Sequence, residues 1–199
     1  MSNYTLYYYN LRGRAELSRL ILYYSGIPFK DIRLERNEWP LYKPVMPFGV
    51  PVLEMDGGRS LAQSTAIARY LAKKHGLAGK NEWEEAMTDM YVDCINDLWT
   101  GLISSYFERD PQRQEELYLK FVNQQIVPHV QIVNKQLSDK GSGYLVGSEL
   151  TWADLAYYGF FSFLVEKYGD LFVLKDAPYF EDLIDRIGTI LFLRQWFED

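Results

Sequence analysis

The hydrophobic positions near the start of the chain change from a two-residue repeat to a helical repeat and back again. Residues 4–9, YTLYYY, alternate and predict a β-strand. From Arg14 to Tyr24 apolar residues recur at helical spacing, and residues 26–28, GIP, end the predicted helix. Residues 29–34 alternate again and predict a second strand. Two strands that flank one helix need a crossover connection, so we expect a parallel β-α-β unit.

A β-hairpin and a capped helix are predicted next. Residues 50–54 and 59–62 read as strands on either side of a DGG turn. Residues 64–76 read as a helix, with Ser64 as the N-cap and Gly76 at the C-terminal cap. Once a short helix before the hairpin is included, the order βαβ-α-ββα is that of a thioredoxin-like domain.

Strand patterns largely disappear in the rest of the chain, and long helical periodicities replace them. Residues 83–106 and 112–137 predict helices, the second with a kink at Pro128. Residues 151–154, TWAD, form a capping box that opens a further helix. Residues 179–197 supply the last helical pattern.

The predicted fold class is therefore α/β followed by all-α. We expect a thioredoxin-like domain over residues 1–76, a linker over 77–82 and an all-helical domain over 83–199. The chain of 199 residues is long enough to bury a large core.

Composition and charge exclude several classes of protein. The net charge of −6 argues against nucleic acid or an anionic membrane as the main partner. No run approaches the ~18 apolar residues of a membrane-spanning helix, and no signal peptide is recognisable. The single cysteine, Cys94, cannot form an internal disulfide. We expect a cytoplasmic protein.

Tyr8 is the candidate for chemistry among three consecutive tyrosines. It lies at the end of the predicted strand on the face shared with Leu6, whereas Tyr7 and Tyr9 lie on the other face. A phenol there could donate a hydrogen bond to a bound thiolate, and Arg14 at the start of the next helix could add positive charge. For any single tyrosine, packing is the more common role.

Two further segments carry polar groups suited to an extended peptide. Trp39 and Lys43 are spaced i, i+4 on a predicted short helix over 38–44, where an indole donor and an ammonium suit a carboxylate. Pro51 opens a strand and is compatible with a cis bond after Val50, which would expose the Val50 backbone to a peptide ligand.

The remaining candidates are a helix start and an acidic helix face. Gln63 and Ser64 precede a helix whose free N–H groups favour a carboxylate, although ordinary capping is the alternative. Polar residues at helical spacing form one stripe, which is either a solvated face or a partner for an ammonium or a divalent cation: Asp89, Asp93, Asn96, Asp97 and Thr100. Cys-x-x-Cys, zinc, Walker and dinucleotide patterns are absent from the sequence.

Several motifs together resemble the sigma class of cytosolic glutathione transferases. They are YYN at 8–10, RGRAE at 12–16, WP at 39–40, PFG at 47–49, LAQS at 61–64, AIARYL at 66–71, YLVG at 144–147 and LTWAD at 150–154. The resemblance implies a two-domain enzyme that binds glutathione as co-substrate and needs no metal. It implies that the Tyr8 hydroxyl stabilises the thiolate, that Arg14 supports it, and that Trp39 and Lys43 bind the glycyl carboxylate.

The same resemblance assigns the rest of the glutathione site. Gly49 and Val50, next to a cis Pro51, are implied to pair with the cysteinyl backbone. Gln63 and Ser64 are implied to hold the γ-glutamyl carboxylate.

The resemblance also implies a homodimer and leaves the reaction open. Asp97 is similar to an acid that reaches the γ-glutamyl ammonium from the neighbouring subunit. Conjugation of glutathione to small hydrophobic electrophiles, a role in detoxification, is the leading function. Prostaglandin D synthesis is an alternative that Ser104 disfavours, because a tryptophan stands there in that enzyme. A non-catalytic carrier or a crystallin-like protein is a second alternative.

Overall fold

The computed structural model describes residues 3–169 and 176–193. The described chain divides into two compact units. The first comprises the residues up to Ala78 together with 191–193, and the second comprises Gly79–Ile190.

The first unit is built on a four-stranded sheet. In chain order its elements are β1 (Tyr4–Tyr9), a 3₁₀ turn (Gly13–Ala15), α1 (Glu16–Tyr24), β2 (Phe29–Leu34), α2 (Trp39–Tyr42), β3 (Val52–Met55), β4 (Arg59–Ala62) and α3 (Ser64–Lys74). The strand order is β2-β1-β3-β4. β1 and β2 are parallel, and β3 is antiparallel to both β1 and β4. The predicted β-α-β unit, hairpin and thioredoxin-like order are therefore confirmed, although α2 is shorter than the predicted 38–44.

Burial along β1 follows the predicted alternation. Tyr4, Leu6 and Tyr8 are buried, whereas Tyr7 and Tyr9 are only partly covered on the other face. Helices α1 and α3 bury their apolar sides and contact each other, and α3 also contacts β3 and β4. Each fully buried leucine or isoleucine in this layer contributes about 1.5–3 kcal/mol to the stability of the folded state.

The second unit is all-helical within its described residues. Its elements are α4 (Glu82–Tyr106), α5 (Pro111–Phe121), a π-helical turn (Val122–Ile126), α6 (Val127–Lys140), α7 (Trp152–Tyr168) and α8 (Pro178–Leu193). The predicted helical pattern at 179–197 is confirmed as far as 193, and residues 194–197 lie outside the described part. None of the described helices is long and apolar enough to cross a membrane.

The kink predicted at Pro128 takes the form of the π-helical turn. Proline has no N–H to donate, so the regular ladder of hydrogen bonds must be interrupted one turn earlier. The N–H of Val127 instead donates to the carbonyl of Val122, five residues back. The capping box of α7 is also confirmed, because the Asp154 carboxylate accepts the Thr151 N–H at 2.8 Å.

Candidate active site

Tyr8 ends β1 with its hydroxyl enclosed by the turn that follows. The Tyr8 oxygen accepts a hydrogen bond from the backbone N–H of Arg14 at 3.3 Å. Gly13 has a φ of +45°, and a Cβ atom there would lie 2.9 Å from the Tyr8 oxygen and 2.5 Å from Leu11 Cδ1. The turn can therefore approach the hydroxyl this closely only with glycine at position 13. Because Tyr8 accepts this bond, its own proton remains available for a ligand.

Burial and positive charge act on Tyr8 in opposite directions. Burial raises the pKa of the Tyr8 phenol above its ordinary value of 10.0, while the Arg14 N–H and the charges of Arg14 and Arg19 lower it. Burial dominates, so the pKa stays raised. Tyr8 is consequently protonated at neutral pH, so it can donate a hydrogen bond and is not available as a base.

Arg19 lies beneath this turn, and sequence reasoning missed it. Its side chain is fully buried and its guanidinium carbon lies 5.9 Å from the centroid of the Tyr8 ring. It forms ion pairs with Glu16 at 3.2 Å and with Asp31 at 3.1 Å. An arginine inside an amphipathic helix gives no sequence signal that separates this role from a solvated surface position.

Trp39 is the first residue of the short helix α2, and Lys43 is its C-cap residue. The N–H of Lys43 donates to the carbonyl of Trp39 at 2.9 Å, so the two residues are one helical turn apart. The ring of Trp39 packs edge-on against Tyr9 at a centroid distance of 6.2 Å. Tyr9 in turn contacts the ring of Tyr8 at 5.7 Å. A chain of aromatic contacts thus links Tyr8 to Trp39, whereas Lys43 is exposed.

The segment before β3 has the predicted backbone. The Val50–Pro51 peptide bond is cis, which confirms the prediction, and Gly49 has a φ of +78°. Pro51 is buried and Val50 is partly covered.

The start of α3 differs from the sequence prediction. Gln63, not Ser64, is the N-cap residue, and Ser64 is the first helical residue, so the predicted N-cap was wrong. Gln63 has a φ of 75°, and among residues 3–169 and 176–193 it is the only non-glycine residue with a positive φ. The left-handed region costs a glutamine about 1–3 kcal/mol, and such strain is typical of ligand-binding positions.

An open groove of about 390 Å³ begins at Gln63. It runs along β4 and the residues after α2, and it is lined by Val45, Met46, Pro47, Phe48, Val52, Ser60, Leu61, Ala62 and Gln63. The first turn of α3 contains no acidic residue. Its N–H groups and helix dipole therefore favour an anionic ligand at this end of the helix.

Asp97 belongs to the second unit, on the exposed face of α4. In the same acidic stripe, the Asn96 amide donates to Asp93 at 3.4 Å. Within the described ranges no group of three or more His, Cys, Asp or Glu side chains is arranged to hold a metal ion. All of the predicted site residues except Asp97 lie in the first unit. Among them, Tyr8 and Arg14 are in direct contact through the hydrogen bond described above.

The described chain consists of a four-stranded thioredoxin-like unit followed in sequence by an all-helical unit. Residues 4–73 match the family described as "Glutathione S-transferase, N-terminal domain", and residues 96–199 match "Glutathione S-transferase, C-terminal domain". The chain belongs to the glutathione S-transferase family.

Relatives cover almost the whole chain. A glutathione S-transferase of Anopheles gambiae is 34% identical over 94% of this chain and 91% of its own. The hematopoietic prostaglandin D synthase of Gallus gallus is 38% identical over 98% of this chain and 89% of its own. The crystal structure of a monomeric glutathione S-transferase of the hookworm Necator americanus superposes with a TM-score of 0.85 at 35% identity, covering 98% and 96% of the two chains.

Proposed function

We propose that this protein transfers the thiolate of glutathione to small hydrophobic electrophiles, and that the Tyr8 hydroxyl stabilises the thiolate. The observation that carries the proposal is the hydrogen bond from the Arg14 N–H to the Tyr8 oxygen at 3.3 Å. A phenol that already accepts one bond becomes a better donor, because hydrogen bonds in a chain polarise one another.

The other candidate residues fit the parts of an extended tripeptide. The indole of Trp39 and the ammonium of Lys43 suit its glycyl carboxylate, and the Val50 backbone, between Gly49 and Pro51, suits its central amide groups. The start of α3 at Gln63 and Ser64 suits the carboxylate of the γ-glutamyl end. The strained φ of Gln63 supports this assignment, since such a cost is typical of a functional position.

The reaction then needs little covalent chemistry from the protein. Bound glutathione supplies the nucleophilic sulfur, whose electron pair forms the bond to the electrophilic carbon while a leaving group departs with its own pair. Tyr8 holds the sulfur ionised by donating its proton in a hydrogen bond, and Arg14 adds positive charge nearby. Lowering the thiol pKa from ~8.5 by about two units requires roughly 2.7 kcal/mol of preference for the charged form.

The test is a titration of the thiol of bound glutathione by ultraviolet difference absorbance across pH. We expect a depressed thiol pKa in the wild type and a value near that of free glutathione in Tyr8→Phe, with glutathione affinity nearly unchanged. Tyr7→Phe is the matched control, because the Tyr7 hydroxyl donates to Glu54 at 2.9 Å on the other face of β1. Equal losses in the two variants would contradict the assignment, and glutathione binding without a depressed pKa would indicate a carrier.

Prostaglandin D synthesis is a second candidate because of the similarity to the Gallus gallus enzyme. Ser104 counts against it. This side chain is exposed, and its hydroxyl donates to the Gly101 carbonyl at 3.2 Å, so it offers no aromatic surface to a large lipid substrate. Assay of the isomerase reaction beside conjugation of a simple electrophile separates the two functions.

Assembly and location complete the proposal. We infer a cytoplasmic homodimer of the sigma class that serves detoxification, in which the exposed Asp97 of one subunit contacts the γ-glutamyl ammonium bound by the other. The monomeric hookworm relative makes the oligomeric state a necessary measurement. A protein that sediments as a monomer with full activity would remove the role of Asp97 across subunits.

A further inference from the structure

Arg19 connects three elements around the end of β1. Its Nε atom donates to both carboxylate oxygens of Asp31 on β2, at 3.1 and 3.3 Å. Its Nη1 atom donates to Glu16 on its own helix at 3.2 Å. The side chain of Arg19 is completely buried, and that of Glu16 is 6% exposed. A buried cation held on both sides by carboxylates is fixed in position, because breaking either pair would leave a charge uncompensated.

The same nitrogen, Nη1, also holds the loop that follows β1. It donates to the carbonyl of Leu11 at 3.0 Å and to the carbonyl of Arg12 at 3.2 Å. These two residues directly precede Gly13 and Arg14, whose backbone encloses the Tyr8 hydroxyl. Arg19 therefore holds the loop immediately before the Arg14 N–H, which donates the hydrogen bond that the Tyr8 hydroxyl accepts.

We propose that Arg19 is a positioning residue for the transfer reaction, because its hold on the Leu11 and Arg12 carbonyls keeps the Arg14 N–H on the Tyr8 hydroxyl. This inference rests on the proposed function, which makes Tyr8 the group that stabilises the thiolate. Arg19 acts through Tyr8 and the loop, and it has no exposed surface with which to contact glutathione.

The charged and titratable groups around Tyr8 and Arg19 come from β1, the 3₁₀ turn and the loop before it, α1 and β2. Tyr8 faces Arg14 from the 3₁₀ turn, Arg19 from α1 and Tyr9 from β1 itself. Arg19 faces Glu16 and Asp31. Arg12 pairs with Glu16 at 3.0 Å, and Arg33 pairs with Asp31 at 2.8 Å.

Arg19→Lys separates position from charge. Lysine keeps the positive charge beside Glu16 and Asp31, but it lacks the planar fork that reaches a carboxylate and two carbonyls at once. We expect the pKa of the bound glutathione thiol to rise by about 0.5–1 unit, which lowers kcat/KM about three- to tenfold below that pKa and restores it at higher pH. The glutathione affinity should change little. An unchanged thiol pKa in a folded Arg19→Lys variant would overturn the proposal.

A double-mutant cycle with Tyr8→Phe tests whether the effect passes through Tyr8. The shift caused by Arg19→Lys should disappear in the Tyr8→Phe background. A shift of the same size in that background would refute the positioning role. Arg33→Gln is the matched control, since Arg33 lies on β2, has a side chain that is 45% exposed and binds the same Asp31 carboxylate. It should leave the thiol pKa unchanged.

The ligand-free protein gives an independent readout. The pKa of the Tyr8 phenol can be followed by NMR in protein labelled with ¹³Cζ-tyrosine, with the Tyr8 signal identified by its loss in Tyr8→Phe. Arg19→Lys should raise that pKa, because the phenolate loses the Arg14 N–H. If it does so while the wild type fails to depress the thiol pKa, the positioning role stands and the proposed function fails. If the phenol pKa does not move, the positioning role fails whatever the enzyme does.

A second variant covers the case in which Arg19→Lys does not fold. Asp31→Asn removes the charge that anchors Arg19 Nε, so Arg19 should hold the Leu11 and Arg12 carbonyls less firmly. It should raise the pKa of the bound glutathione thiol and the pKa of the Tyr8 phenol, each by less than Arg19→Lys does. No shift in either value would overturn the proposal.

Discussion

The N-terminal end of α7 depends on one buried carboxylate. Asp154 is fully buried, and its Oδ1 atom accepts the N–H of Leu145 at 2.9 Å. Its Oδ2 atom accepts the N–H of Thr151 at 2.8 Å and the Thr151 hydroxyl at 2.9 Å. The carboxylate therefore joins the first turn of α7 to the segment that precedes it. Asp154→Ala removes all three acceptor contacts at once.

The loss can be sized from the groups left behind. Two backbone N–H groups would be buried without an acceptor, at about 1–3 kcal/mol each, while the Thr151 hydroxyl can rotate toward another acceptor. Burial also raises the pKa of the Asp154 carboxyl, which means that the buried negative charge itself destabilises the wild-type fold and reduces the net loss on its removal. We therefore expect Asp154→Ala to lower the free energy of unfolding by about 2–4 kcal/mol. Asp154→Asn keeps one acceptor oxygen and should lose roughly half as much.

Urea denaturation followed by circular dichroism measures this difference, with all variants compared at one protein concentration because association would add to stability. Asp182→Ala is the control, since Asp182 is an exposed carboxylate that lies 3.5 Å from Arg186 on α8. It should change the free energy of unfolding by less than about 0.5 kcal/mol. A loss below about 1 kcal/mol for Asp154→Ala would refute the account, because it would mean that water or a new acceptor replaces the carboxylate at little cost.

Two further predictions concern Gly13 and His129. Gly13→Ala should lower kcat/KM at least about tenfold, because the added Cβ would displace the Tyr8 hydroxyl. Gly58 also has a positive φ, +73°, but a Cβ added there would have no neighbour within 4 Å, so Gly58→Ala should carry the backbone strain alone and retain activity. An active Gly13→Ala would show that the turn can open without loss. The Nε2 atom of His129 lies 2.8 Å from the Tyr157 hydroxyl, and burial lowers the pKa of this imidazole below its ordinary value of 6.5. The unfolded chain therefore binds more protons than the folded chain as the pH falls below 6.5, so the free energy of unfolding should decrease there. His129→Gln should flatten this dependence, and NMR should give an imidazole pKa below 6.5.

Local signals in the sequence account for most of the fold. The alternation over 4–9 and 29–34, the DGG turn and the TWAD capping box each depend on residues close together in the chain, and the structure contains all four features. Proline chemistry permits the cis bond before Pro51, and the family resemblance implied it. The site residues were predictable mainly as a resemblance, because each of them alone also fits a packing or capping role.

Other features were decided only when distant segments came together. Nothing in the sequence indicates that Gln63 adopts a positive φ, since glutamine has no local preference for that region, and the prediction of Ser64 as N-cap failed on this point. Arg19 likewise reads as an ordinary helical arginine until Asp31 on β2 and the Leu11 carbonyl lie beside it. Hydrophobic periodicity and turn chemistry act over a few residues, so the sequence determined the elements and their order. Burial and long-range pairing act between elements, so only the tertiary structure decided which charges are enclosed and how the turn meets the Tyr8 hydroxyl.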